Sequence, residues 1–315
     1  EINARIGEAL SAEQVRDIVR EEIDAAGGSG TTTDLTFFDG ETVELDGVHH
    51  SYLPALTKIL KLPVDVRPTV YLHGEPGAGK SHLAEQIAEL LDLDYAEEVF
   101  SAESSRFDLY GTFNPVTGEF MQTEFVRMAR EGGVFLLDEI DRAPAPVLTA
   151  LNTVIGQGRV SINGMEPFDV HDDFVIIAAG NTTMRGLERE YEAAPQDAAF
   201  ADRPIFVHLP YDEALEGKVA GLTADEIDEL GLDSPELQMH GERQCSRKEW
   251  VRLVLQIRRE LQTMRKPVKA TPRATYEGNT LLSLGFDVDD VLEMTIFKGL
   301  GDEDRRAVLR DVDLP

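Results

Sequence analysis

The stretch Thr69-Val70-Tyr71-Leu72-His73-Gly74-Glu75-Pro76-Gly77-Ala78-Gly79-Lys80-Ser81-His82 decides the fold. Its first five residues form an uncharged, β-rich run, which reads as a buried strand. The glycines that follow let the backbone curl so that its N–H groups face phosphate oxygens. A helix expected over 81–91 adds its positive N-terminus at the same point. Lys80 brings a charge to the β- and γ-phosphates, and Ser81 brings a hydroxyl to Mg2+. A strand, a Gly-rich loop ending in Lys-Ser and then a helix make a phosphate-binding loop. The cofactor-binding residues it nominates are Gly74, Glu75, Pro76, Gly77, Ala78, Gly79, Lys80, Ser81 and the adjoining His82. The expected ligands are ATP and Mg2+.

Val134-Phe135-Leu136-Leu137-Asp138-Glu139-Ile140-Asp141 supplies the second half of the site. Asp138 ends a buried apolar run and Glu139 follows it. An acidic pair at the end of a buried strand needs a positive partner, and Mg2+ supplies one. Asp138 and Ser81 are therefore the metal-site candidates, and Glu139 is the candidate general base. Asn181 ends the next strand in sequence, Asp173–Asn181. Its amide there can orient a water or touch the γ-phosphate. Asp202-Arg203 stands just before the strand expected at 205–209. An arginine at such an edge can reach a neighbouring subunit's ATP and stabilise transferred charge there.

Further out, strands at 69–73, 134–138, 174–179 and 205–209 alternate with helical stretches. This order points to an α/β fold, a parallel sheet with helices on both faces. Residues 159–170 carry Asn163-Gly164 between alternating residues, a hairpin signal, and 114–120 form a second turn-rich insertion. After Pro210 the strands stop, and helices are expected over 212–220, 223–230, 246–264, 272–284 and 287–298. Before the sheet, residues 11–25 read as an amphipathic helix and 27–33 as a Gly/Ser/Thr linker. The domain reading is therefore an N-terminal helix and linker (1–33), an α/β nucleotide-binding domain (34–210) and a smaller all-helical lid (211–315).

Composition narrows the classes. The chain has 315 residues, 42% of them hydrophobic, enough for a core. No apolar run approaches the roughly 18 residues of a membrane helix. The opening residues EINARIGEAL lack the regions of a signal peptide. A single cysteine, Cys245, fits a reducing, cytoplasmic setting. Asp and Glu number 59 against 30 Lys and Arg, a formal net charge of −29. Such a surface repels nucleic-acid phosphates, so DNA coating is disfavoured. Only 8 of the 30 basic residues are Lys. Acidic, Lys-poor usage reads as a halophile's hydrated surface, with a GC-rich genome as the alternative. The seven histidines are scattered, and no metal spacing surrounds His49-His50. Trp250, Leu253, Leu255 and Ile257 read as helix packing.

Taken together, these motifs resemble the AAA+ ATPases. They are the phosphate loop, the Asp-Glu strand, the 159–170 hairpin, Asn181, Arg203 and the helical lid. Within them the chain is similar to the dynein-related branch that includes MoxR proteins and the CobS cobaltochelatase subunit, and more narrowly to CobS-like ATPases of phages and prophages. The stretches that carry this are GGVFLLDEID, AAGNT, REYEAAPQDAAFADR, PYDEALE, ATPRAT and VLEMTIFKGL. The resemblance implies an ATP-hydrolysing ring, most often a homohexamer, with catalytic residues Glu139, Asn181, Arg203 and Arg273. Arg203 matches the arginine finger, and Arg273 the sensor that reaches ATP from the lid. Pro204 replaces the family's usual Phe. Arg185 and Arg189 are further candidates for an intersubunit contact. Ser101 or Ser104 stands where many relatives restrain the catalytic Glu with an Asn. Relatives line the adenine pocket near His49-His50. They usually serve a protein client or a partner with a von Willebrand A-type domain; a viral DNA-processing motor is the alternative. The insertions 114–120 and 161–168 contain no Lys or Arg, which tilts the reading to protein.

The charge makes one expectation independent of all this. At low ionic strength, −29 charges repel one another within and between subunits. Melting temperature and assembly size are both expected to rise from low to molar KCl. A flat or falling response by calorimetry and light scattering contradicts the halophile reading.

Overall fold

The computed structural model describes residues 34–315 except 38–39, 45–48, 185–197, 220–221, 236, 238–242, 244, 265–269, 299, 311, 313 and 315. The helix expected at 11–25, the linker at 27–33, Arg185 and Arg189 lie outside the described residues.

An antiparallel hairpin of β1 (Asp34–Thr36) and β2 (Thr42–Glu44) and helix α1 (Leu53–Leu60) precede the sheet. Then come β3 (Val70–His73), α2 (Lys80–Leu90), β4 (Tyr95–Val99) and α3 (Arg106–Tyr110). A hairpin of β5 (Gly111–Phe113) and β6 (Phe120–Gln122) leads to α4 (Glu124–Glu131), β7 (Gly133–Asp138) and α5 (Ala145–Gln157). A second hairpin, β8 (Arg159–Val160) with β9 (Phe168–Asp169), is followed by β10 (Phe174–Gly180), α6 (Ala198–Ala201) and β11 (Ile205–His208). Five of these strands form one parallel sheet in the order β11-β3-β10-β7-β4.

The two-residue period of a strand sorts the core into two faces. Val70, Leu72, Val134 and Leu136 join one apolar cluster, while Tyr71, Phe135 and Leu137 join the other. The first cluster continues through α1 and α2 into the C-terminal helices; the second is filled by α4 and α5. The α/β expectation is thus met, with four of the five strands where the sequence places them. β4 is the fifth and was not expected. Its sequence, Tyr-Ala-Glu-Glu-Val, is no apolar run, because an edge strand has one half-solvated side. The 159–170 hairpin forms, but its strands are two residues long. Asn163-Gly164 therefore sits in a longer loop than the two-residue turn it favours.

Beyond Pro210 the described residues hold helices and no strand. They are α7 (Glu213–Val219), α8 (Ala224–Leu230), α9 (Arg247–Thr263), α10 (Pro272–Ser283) and α11 (Val288–Leu292). A π-helical turn (Glu293–Phe297) and α12 (Asp302–Leu309) follow, the latter unforeseen. Ser246 opens α9 with a capping box: its Oγ accepts from the Glu249 N–H, and its own N–H donates to the Glu249 carboxylate at 2.7 Å. Among the described residues no helix is long and apolar enough to cross a membrane.

Trp250 on α9 is fully buried, and its indole N–H donates to the Thr275 carbonyl at 3.1 Å. The indole ring occupies the space that a side chain at Gly278 would need. Gly278→Ala is therefore expected to overpack the helical region and destabilise it by about 1–3 kcal/mol. Urea unfolding measures this, and an unchanged midpoint contradicts the close packing.

Candidate active site

Parallel strands present all their C-terminal ends at one edge of a sheet. Here β3, β10 and β7 are neighbours, and the loops that leave them meet at Lys80. Gly74 begins the loop against the Leu209 carbonyl, where a side chain would collide with the backbone. Gly77 and Gly79 have φ of 86° and 82°, in the left-handed region that glycine adopts without steric cost. The Tyr211 hydroxyl, from the segment after β11, donates to the Pro76 carbonyl at 3.0 Å.

The Lys80 side chain is buried at the start of α2. Its Nζ donates to Gly74 O at 2.8 Å, to Glu75 O at 3.1 Å and to Asn181 Oδ1 at 2.9 Å. Burial lowers its pKa, while Asp138, Asp141, Glu75 and Glu139 pull it back up. Desolvation is the larger effect, yet four carboxylates keep the site's balance negative around one ammonium. His73 adds no charge there. Burial, His208 and Lys80 push its pKa down to about 3, so the ring stays neutral near pH 7.

Ser81 Oγ donates to Asp138 Oδ2 at 3.3 Å. The other Asp138 oxygen accepts the Glu139 N–H at 2.8 Å. A hydroxyl and a carboxylate oxygen meeting this closely are the hard donors that Mg2+ takes alongside phosphates and water. Glu139 itself lies in the left-handed region, φ 49° and ψ 32°, uncommon for a non-glycine residue. Its carboxylate receives Arg142 Nη1 at 2.8 Å. Ser101 and Ser104 form their own turn, the Ser101 N–H donating to Ser104 Oγ at 2.9 Å. His82 turns away from the loop: its side chain is exposed, with Nδ1 3.7 Å from Glu85.

The two arginines stand elsewhere. Arg203 Nε donates to Asn152 Oδ1 on α5 at 2.6 Å, and its guanidinium lies over Gly156. Arg273, in the first turn of α10, places Nη1 3.2 Å from Asp202 and Nε 3.8 Å from Glu277. Both therefore gather at the N-terminal end of β11, whereas Lys80 follows the C-terminal end of β3. Arg273, expected from the resemblance to reach ATP from the lid, here faces Asp202 and Glu277. β11 pairs directly with β3, Ile205 opposite Val70 and His208 opposite His73, so the separation from Lys80 runs along the strands and not across the sheet. Lys298 completes the group, donating to the Asp202 and Pro204 carbonyls at 3.3 and 2.8 Å. Glu277 is buried among these charges, and burial drives its carboxyl pKa up against the pull of Lys298 and Arg273.

His50 is buried where the helical region begins, near Asp212, with a pKa lowered by burial. Asp212 accepts from Ser51 N–H, Leu215 N–H and Ser234 Oγ, which ties the start of α1 to α7. Among the described residues no group of three His, Cys, Asp or Glu side chains could hold a metal ion. Sequence reading missed Tyr71, Asp141 and Arg142 at the site. The signal for the last two was present in the acidic and basic residues that follow Glu139.

Comparison with known proteins agrees with this geometry. Residues 69–203 match the family model described as AAA domain (dynein-related subfamily). Residues 69–203 are thus similar to AAA domains of that subfamily, and an AAA domain implies nucleotide binding. Midasin of Giardia intestinalis is 27% identical over 154 residues, which are 42% of this chain and 3% of midasin. An uncharacterized protein of Staphylococcus aureus (strain USA300) is 24% identical over 265 residues, covering 79% of this chain and 91% of that protein. A crystal structure of a candidate ATPase from Cytophaga hutchinsonii superposes over the full length of both chains, with a TM-score of 0.57 and 18% identity, which shows the shared fold.

Proposed function

We propose that this protein is a Mg2+-dependent ATPase that works as a homohexameric ring and applies ATP hydrolysis to remodelling a protein client. The observation that carries the reading is one junction: Lys80 Nζ at 2.9 Å from Asn181 Oδ1, beside Ser81 Oγ at 3.3 Å from Asp138 Oδ2. The loop after β3, the end of β7 and the end of β10 each contribute to it. In this reading Lys80 and the loop N–H groups hold the β- and γ-phosphates. Ser81 and Asp138 hold Mg2+, which neutralises phosphate charge. Glu139 takes the proton of the attacking water, and Asn181 orients that water. Glu139 must leave Arg142 to do so.

A protein client is favoured over a DNA motor by the two hairpins. Phe113, Val116 and Met121 on the first are exposed, Val116 by 90%. Phe113 approaches Gly164 of the second, so the two form one apolar, acid-bearing projection. Phosphates need basic groups, whereas an apolar projection suits polypeptide. A partner with a von Willebrand A-type domain belongs to the same reading, through the MoxR and CobS resemblance.

Glu139→Gln keeps shape and hydrogen bonds but removes the base. It is expected to bind ATP normally and to lower turnover by roughly 10²–10⁴-fold. Calorimetry and a steady-state phosphate assay measure the two quantities. A turnover within twofold of wild type rules out Glu139 as the base.

Arg203 and Arg273, gathered at the opposite end of β11, suit a site shared between neighbours. A finger supplied in trans is worth on the order of 10³-fold in rate. Arg203→Ala is expected to bind ATP and not hydrolyse it. Mixing it with Lys80→Ala subunits is expected to restore part of the activity, because loop and finger then come from different chains. Activity per subunit that stays constant on dilution to monomer is fatal to the shared site.

A further inference from the structure

We infer that Asp141 is a positioning residue that sets Asn181 against Lys80, so that the turn after β7 controls the water-orienting amide at the end of β10. The inference rests on the ATPase reading above and names a residue that reading does not use.

The β7–β10 ladder ends at Leu137 opposite Ala178. Past that point the backbone N–H groups of Asn181 and Thr182 have run beyond their strand partner, and buried N–H groups need acceptors. Asp141 supplies one. Its Oδ2 accepts Asn181 N–H at 3.1 Å and Thr182 N–H at 3.0 Å. Asp141 is 3% exposed, and Thr182 is 4% exposed. Bonds from backbone N–H to an ionised carboxylate are stronger than neutral ones. Tyr71, on β3, braces the same turn from the other side: its hydroxyl donates to the Thr182 carbonyl at 2.6 Å. Gly180 lies between the two, and a side chain there would overlap the Tyr71 hydroxyl and come within 2.8 Å of the Asp141 carboxylate.

The consequence is at Asn181. Its backbone is fixed by Asp141, and its side-chain oxygen takes Lys80 Nζ at 2.9 Å. Asp138 and Glu139 stand immediately before one short 3-10 turn, and Asp141 lies within it. One short segment thus carries the metal-binding carboxylate, the base and the clamp on Asn181. Any shift of that segment during hydrolysis moves Asn181 with it. A purely structural carboxylate would stabilise the turn without setting the rate through Asn181.

The test uses full-length protein. Asp141→Ala removes the acceptor, Asp141→Asn keeps one acceptor oxygen, and Tyr71→Phe removes only the brace on Thr182. Asp141→Ala is expected to lower kcat about 10–100-fold, as loss of an orienting partner does. Affinity for a non-hydrolysable ATP analogue stays within about twofold. Asp141→Asn recovers part of the rate, and Tyr71→Phe gives a smaller loss of the same kind. Amide exchange at 181 and 182 speeds up in Asp141→Ala. In an Asn181→Ala background none of the three lowers kcat further, because they act through that side chain. Losses that multiply with Asn181→Ala, or an unchanged kcat in all three variants, overturn the role of Asp141 while leaving the ATPase reading intact. Wild-type protein that binds ATP analogue but turns over no ATP overturns the ATPase reading instead. If Asp141→Ala does not fold, Tyr71→Phe and Asp141→Asn carry the same comparison.

Discussion

Burying the Lys80 ammonium is the constraint on which the site depends. A desolvated cation must be met on every side by oxygen. Here those oxygens come from the loop itself, through Gly74 and Glu75, and from Asn181 at the end of a different strand. That is possible only because β3 and β10 run parallel and side by side, so that both end at the same edge. An antiparallel neighbour would bring Asn181 to the wrong end. The glycines answer the same need: Gly77 and Gly79 turn the backbone, and Gly74 lets it pass against Leu209.

The opposite end of the sheet has a different task. Asp202, Arg203, Arg273, Glu277 and Lys298 gather where β11 begins, joining α10 and the segment after the π-helical turn to the α/β region. The apolar cluster that covers one face of the sheet is continuous with the helices beyond Pro210. The C-terminal helices and the sheet are thus tied twice, by packing and by charge. One four-residue strand, β11, separates this charged group from the phosphate loop.

The surface charge acts on another scale. Exposed carboxylates contribute little pair by pair, as at Arg127, which faces Glu124, Glu131 and Asp94 on one exposed surface. Their sum, −29, governs solubility and association instead. The interior follows the opposite rule. Each buried charge named here has a specific partner, because its desolvation must be met locally.

The sequence by itself determined the phosphate loop, the acidic strand end at Asp138-Glu139, four of the five sheet strands and the helical character of the C-terminal third. These are local properties: loop chemistry needs fixed residue types in order, and buried strands must be apolar. Tertiary structure alone decided the rest. β4 was hidden because an edge strand can carry Glu97 and Glu98 on its solvated side. Asn181 was legible as a strand-end amide, but its approach to Lys80 requires the strand order. Asp141 and Tyr71 looked ordinary, since a carboxylate three residues after Asp138 acquires meaning only where the β7–β10 ladder stops. Arg203 and Arg273 were legible as motif residues, yet their end of the molecule was not. Distance along a strand and neighbourhood across a sheet depend on pairing between segments far apart in the chain, and no local pattern encodes that.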